Sequence, residues 1–162
     1  MTGYVCTPQL ARLMLARGQA MSSGLSKAFR ERRVNKRYEA IVSGIMTNDE
    51  GSIDFPLIAD WPNRPRQKID FETGKPSLTH YRVLERNTRE NWTRVDLEPY
   101  TGRSHQLRMH LMALGHPILG DPLYADPESF AKAPRMTLHA THLDLEHPLT
   151  GETLVFDSPV PF

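Results

Sequence analysis

The sequence predicts an α+β fold, a mixed and largely antiparallel β-sheet flanked by helices and loops. Several short stretches alternate apolar and polar residues with the period of a half-buried strand. Only two stretches place apolar residues at helical spacing, and proline- and glycine-bearing connections separate the segments.

Residues 19–33 carry Ala20, Leu25, Ala28 and Phe29 among polar and basic positions, a weak helical pattern that Gly24 interrupts without having to break it. Tyr38 to Val42 alternates and ends at Ser43-Gly44. Ser52 to Ile58 repeats the pattern after a turn-like stretch, so both read as strands. From Asp60 to Pro76, proline, glycine and charge without periodicity predict a long exposed loop. Strands are expected again at Leu78 to Leu84 and Thr93 to Leu97. Ser104 is placed to cap a helix bearing Leu107, Leu111 and Leu114, which Gly115 would stop. After another proline-punctuated loop between Pro117 and Pro134 come two more strand candidates, Met136 to Leu145 and Thr153 to Phe156.

The chain's 162 residues suit one domain with a real hydrophobic core. With 39% hydrophobic and 24% charged residues, its composition is ordinary for a globular protein and argues against disorder or a fibrous repeat. Cys6 is the only cysteine, which excludes an internal disulfide framework and a cysteine zinc site and leads us to expect a reducing, cytoplasmic setting. No apolar run approaches a membrane span, and the N-terminal stretch has no apolar signal region.

A net charge of +1 does not by itself point to nucleic acid, and its distribution says more than the sum. Lys27, Arg30, Arg32, Arg33, Lys36 and Arg37 form a basic ridge against the single acid Glu31, and Arg64, Arg66 and Lys68 form a smaller group in the proline-bearing loop. Most of the basic residues are arginines, whose planar forks suit phosphate, although a charge run alone is ordinarily a solvated face.

The most informative stretch is Thr101-Gly102-Arg103-Ser104-His105-Gln106-Leu107-Arg108-Met109-His110, continuing through Leu114-Gly115-His116-Pro117-Ile118-Leu119-Gly120-Asp121. With Lys36-Arg37-Tyr38-Glu39-Ala40-Ile41-Val42 before it and Leu138-His139-Ala140 after it, this stretch resembles the signature of RluA-type RNA pseudouridine synthases. Trp61-Pro62-Asn63-Arg64-Pro65-Arg66-Gln67-Lys68 and Glu72-Thr73-Gly74-Lys75-Pro76 are similar to the RluA branch of that family. The resemblance runs from about Leu15 to Phe162, dividing the chain into an atypical or truncated segment 1–14 and a catalytic-domain segment 15–162.

The resemblance implies isomerisation of uridine to pseudouridine in large-subunit ribosomal RNA and/or transfer RNA stem-loops. The base must leave the stack for this reaction, which requires neither metal nor cofactor. Matched residue by residue, Arg108 corresponds to the arginine that pairs with the catalytic aspartate, and Tyr38 to the tyrosine that packs on the flipped base. The bland alternatives are a surface arginine on an amphipathic helix and a half-buried strand tyrosine. Arg103 and His105, at the start of the second helix, join Arg30, Arg33, Lys36, Arg37, Arg64, Arg66 and Lys68 as expected RNA contacts. The spacings of His105, His110 and His116, and of His139 and His142, match no common zinc pattern.

One family element is missing. A gapless match puts Cys6 at the catalytic aspartate of the family's His-Arg-Leu-Asp segment and Gly3-Tyr4-Val5 at the three residues before it. Gln9-Leu10-Ala11 stands where Thr-Ser-Gly is expected, and no aspartate precedes Asp49. A thiol does not reproduce the paired bonds that a carboxylate makes to an arginine fork. The expectation is therefore an incomplete or interrupted N-terminus and no turnover by this chain alone, the alternative being a non-catalytic RNA-binding module. A monomer is expected for the complete protein.

Overall fold

In the computed structural model, which describes residue 16 and residues 18–162, eight strands and three helices follow one another along the chain. Helix α1 (Gln19–Arg30) leads into β1 (Val34–Ser43), β2 (Glu50–Asp54) and β3 (Leu57–Ala59). One turn of 3-10 helix at Trp61–Asn63 and the short β4 (Gln67–Ile69) precede β5 (Leu78–Asn87) and β6 (Trp92–Pro99). Helices α2 (Gln106–Ala113) and α3 (Pro127–Ala131) come before β7 (Leu138–Glu146) and β8 (Thr153–Asp157). None of the helices described is long and apolar enough to cross a membrane.

Six strands form one sheet in the order β2-β5-β6-β1-β7-β8, antiparallel at each pairing. The α+β expectation holds. Strand β1 lies inside the sheet, with Tyr38 opposite Leu97 of β6 and Ala140 of β7. Register slips on β7 between the partners of Arg37 and Tyr38, the kind of bulge that increases local twist.

Alternation divides the sheet into two faces. Ala40 and Val42 of β1, Val95 and Leu97 of β6 and Leu138 of β7 are buried on one face, where Leu107 and Leu111, one turn apart on α2, close the main core. Tyr38 packs against the same cluster. Ala28 of α1 meets Val34 and Leu145 in a second cluster, with Leu25, Leu143 and Phe156 around it. The opposite face carries charge: Arg37 and Arg82 both reach Asp96, and Arg94 pairs with Glu39.

Four expectations need correction. Ser52 to Ile58 is two strands, because Pro56 has no N–H to continue a ladder. The stretch from Asp60 to Pro76 is not a structureless loop, since β3 and β4 pair as a ribbon with Leu57 opposite Ile69. Asp70 then accepts the amides of Glu72 and Thr73, each at 2.9 Å, in a tight turn. Ser104 does not cap α2: His105 occupies the cap position at φ 53°, and Gln106 fixes the preceding loop from within the helix. Finally, the loop after Pro117 contains α3, capped by Asp126, whose carboxylate accepts the Ser129 amide at 3.0 Å, with Pro127 at the first helical position.

Gly24 lies where α1 passes Pro148. A Cβ on Gly24 would sit 2.3 Å from the proline Cβ, so the residue that weakens the helix as a sequence pattern permits its packing.

Candidate active site

Arg108 sits on α2 and is 8% exposed, so it is no solvated surface arginine. Its Nε donates to Asp121 Oδ2 at 2.8 Å and its Nη2 to Asp121 Oδ1 at 2.7 Å. Asp121 is fully buried and also accepts the backbone amides of Leu123 at 2.8 Å and Tyr124 at 3.2 Å. The carboxylate gripped by this fork among the described residues is thus Asp121. A buried charge pair needs such complete hydrogen bonding to offset its desolvation.

Tyr124 extends the cluster. Its ring lies under Arg108, with Cζ 5.1 Å from the ring centroid. Its hydroxyl accepts the Gln67 amide at 2.8 Å and meets His105 Nδ1 at 2.8 Å. A neutral imidazole with a bare Nδ1 would accept the hydroxyl proton here. Burial and then the nearby Arg108 charge hold His105 below the ordinary histidine value, which favours the neutral ring that accepts this proton. His105 therefore stands at the start of the helix as expected, with its side chain turned to Tyr124.

Leu57, Met109 and Tyr124 pack together, with Ile69, Met112 and Leu123 around them, and so seat the ribbon on α2. Arg64, Arg66 and Lys68 are exposed on that ribbon, and Lys68 lies 3.9 Å from Asp70. Arg103 is exposed in the loop before α2, with its Nε 3.3 Å from the Pro76 carbonyl. Gln106 pins this loop: its Oε1 accepts the Thr101 hydroxyl at 2.6 Å and the Arg103 amide at 3.1 Å. Its amide nitrogen donates to the Leu78 carbonyl at 2.9 Å and to the Thr79 hydroxyl at 3.0 Å.

The basic ridge is not a single surface. Lys36 alternates with Arg37 and shares the face of Tyr38. The Lys36 ammonium lies 5.7 Å from the centroid of Phe29 and would sit 3.4 Å from a Cβ placed on Gly102. Burial lowers its pKa. Arg37 lies on the opposite face with Asp96. Arg33 reaches Glu31 at 3.0 Å and Glu146 at 3.7 Å, while Arg30 is exposed at the end of α1. Cys6 lies outside the described residues.

Sequence reasoning singled out Arg108 and Tyr38 but not Tyr124, Gln106 or the role of Asp121. Asp121 stood at the end of the quoted motif, and that was its only signal. The histidines do not converge: His110 is buried between the Thr79 hydroxyl and the Phe55 carbonyl, both at 2.9 Å, and His116 meets the Ser43 carbonyl at 2.9 Å. Among the described residues no group of three or more His, Cys, Asp or Glu side chains is arranged to hold a metal ion.

The fold is thus an antiparallel sheet with helices, carrying on the α2 side a ribbon that bears Arg64, Arg66 and Lys68 and a buried arginine–aspartate pair. The sequence model of the RNA pseudouridylate synthase family matches residues 12–113. The chain belongs to that family. It is 52% identical over 150 residues to the dual-specificity RNA pseudouridine synthase RluA of Pasteurella multocida (strain Pm70), and 51% identical over 150 residues to that of Escherichia coli (strain K12). Each match covers 93% of this chain and 68% of the relative. Among solved structures, human RNA pseudouridylate synthase domain containing 1 superposes with a TM-score of 0.76 at 33% identity, covering 90% of this chain and 62% of that one. Human RNA pseudouridylate synthase domain containing 4 gives 0.69 at 25% identity, over 89% and 64%. The chain thus spans a little under two thirds of each solved relative.

Proposed function

We propose that residues 15–162 are the larger part of a pseudouridine synthase catalytic domain that isomerises uridine in large-subunit ribosomal RNA and/or transfer RNA stem-loops. The observation that carries this reading is the roughly half-identical match over 93% of the chain to enzymes named as dual-specificity RNA pseudouridine synthases. The Arg108 site within the matched stretch supports it.

The reaction breaks the bond from ribose C1′ to uracil N1, turns the base, rejoins it through C5, and in doing so removes the C5 proton and leaves one on N1, so that substrate and product are isomers. Everything on this face that confines the extruded base to the pocket while it turns shortens the search for the second bond. In our reading, Tyr38 offers a flat face and a hydroxyl to the uracil. Arg108, aimed by Asp121, directs its guanidinium at the catalytic carboxylate that the family supplies from upstream. Arg103, Arg64, Arg66, Lys68 and Lys36 meet phosphates on this face, and Arg30 and Arg33 extend the contact along α1. His105 acts through Tyr124. Arg37, on the far face, would reach RNA only if the strand wraps the sheet edge.

The test is pseudouridine formation on an anticodon stem-loop and a ribosomal hairpin, comparing the chain with a version whose residues 1–14 are replaced by a complete family N-terminus. Activity only in the completed version is expected, with Tyr38→Phe and Arg108→Lys reducing it sharply. Activity in the chain as it stands would overturn the requirement for the upstream aspartate. The alternative reading is a non-catalytic RNA-binding module. Tight RNA binding without turnover by either version would select it.

A further inference from the structure

We propose that Trp61, at the tip of the β3–β4 ribbon, is a stacking platform for one unpaired nucleobase of the bound RNA. This rests on the RNA-directed reading above and names a contact for the part of the RNA that leaves the pocket. Trp61 is 66% exposed, far more than a core or interface-covered indole. The Arg64 guanidinium carbon lies 3.1 Å from its ring centroid, so a cation already occupies one side of the ring. A base on the remaining exposed surface would meet a π-face backed by positive charge.

The platform is rigidly mounted. The Asp60 amide donates to the Arg66 carbonyl at 2.9 Å, and the Asn63 and Arg66 amides donate to the Asp60 and Asn63 carbonyls at 3.0 Å each. The Asn63 side chain adds a bond to the Asp60 carboxylate at 2.9 Å. Where the tip runs into β4, Gln67 is tied to Tyr124, which touches both His105 and Arg108. The tip is therefore fixed relative to the candidate site.

Its surroundings select the ligand. Trp61 is followed by Pro62, Asn63, Arg64, Pro65 and Arg66, all exposed, so two arginines stand within five residues of the indole and one of them lies over its ring. A protein partner would need an apolar patch around such an anchor, whereas a nucleic acid needs a flat ring and nearby cations. Two of the other exposed aromatics pack against a ring instead. Phe71 lies edge-on to Phe55 at 6.2 Å, and Tyr100 lies edge-on to His80 at 4.8 Å.

The experiment uses the full chain with Trp92→Phe, which leaves Trp61 as its only tryptophan, together with a fluorescein-labelled RNA stem-loop and a blunt duplex of the same stem. Binding is read by anisotropy and Trp61 by its emission. On the stem-loop, Trp61 emission should be quenched in step with the anisotropy rise. Trp61→Ala should weaken the Kd by about 5- to 150-fold, the equivalent of one base–aromatic stack. Trp61→Phe should retain most of the affinity. Because the indole is uncharged and displaces no counterion from phosphate, Trp61→Ala should leave the salt dependence unchanged, and its effect should vanish on the duplex. An unchanged melting temperature will show that the alanine variant is folded. A stem-loop that binds without quenching and equally well to Trp61→Ala would overturn the platform and leave the RNA reading standing, and so would an equal weakening on the duplex. No RNA binding by the parent chain would overturn both.

Discussion

Asp121 is held by four donors, two from the Arg108 fork and two from the backbone. Asp121→Asn removes the negative charge from a buried pair and leaves the guanidinium uncompensated. Unfolding free energy in urea should fall by about 3–5 kcal/mol, and a loss below about 1 kcal/mol would contradict the pairing. His110 supplies a second prediction. The Thr79 hydroxyl receives the Gln106 amide and donates to His110 Nδ1, and His110 Nε2 donates to the Phe55 carbonyl, an arrangement that suits only the neutral ring. Burial accordingly holds its pKa below 6.5. The unfolded chain binds more protons between the depressed value and 6.5, so this stability is present above 6.5 and lost as pH falls through that window. His105 and His139 act in the same direction, chiefly through burial. His142 opposes them, its pKa raised by Asp157 and then Asp144, so its contribution is present at low pH and lost as pH rises. The urea midpoint should fall from pH 7 to pH 5, and His110→Gln should flatten that fall. Arg108 was legible in the sequence because it sits inside a dense motif. Its partner thirteen residues on was not, because a loop aspartate advertises nothing until the chain folds back on the helix.

The strands β1, β5, β6 and β8 were legible because each alternates, and the two longer helices because their apolar residues recur at helical spacing. The ribbon was not: two three-residue strands are too short to display a period, and tertiary packing on α2 fixes them instead. Tyr124→Phe should therefore act locally. The Gln67 amide loses its acceptor, so its hydrogen exchange should quicken while exchange in β1 and β6 stays slow. Uniform protection in both proteins would show that the hydroxyl does not secure the ribbon. Helix α1 offers a test against simple propensity. Gly24→Ala improves the intrinsic helix preference by about 1 kcal/mol, yet its new methyl meets Pro148. The expected result is a net loss of about 1–3 kcal/mol from overpacking, seen as a lowered melting temperature. A gain would mean that the Pro148 turn yields freely.

Across the whole molecule, the two sheet faces divide the labour. The ribbon, α2 and the Arg103 loop share one side, while the ion pairs of Arg37, Arg82 and Arg94 occupy the other. Sequence alone read Lys36 and Arg37 as one ridge, because adjacency in a chain conceals that neighbours on a strand face apart. Alanine at Arg64, Arg66 or Arg103 should reduce the dependence of log K on log salt by up to about 0.7–0.9 for each phosphate no longer neutralised. Alanine at Arg37 or Arg82 should leave that slope nearly unchanged, and an equal reduction from both sets would place RNA on both faces. The Tyr124 hydroxyl gives this division a thermodynamic form. It joins the ribbon to the cluster around Arg108, so whatever free energy couples a ligand on the ribbon to the cluster acts equally in both directions. Recognition at the tip and readiness at the guanidinium are then one linked equilibrium. In a double-mutant cycle of Trp61→Ala and Tyr124→Phe, the two losses of RNA affinity should fail to add.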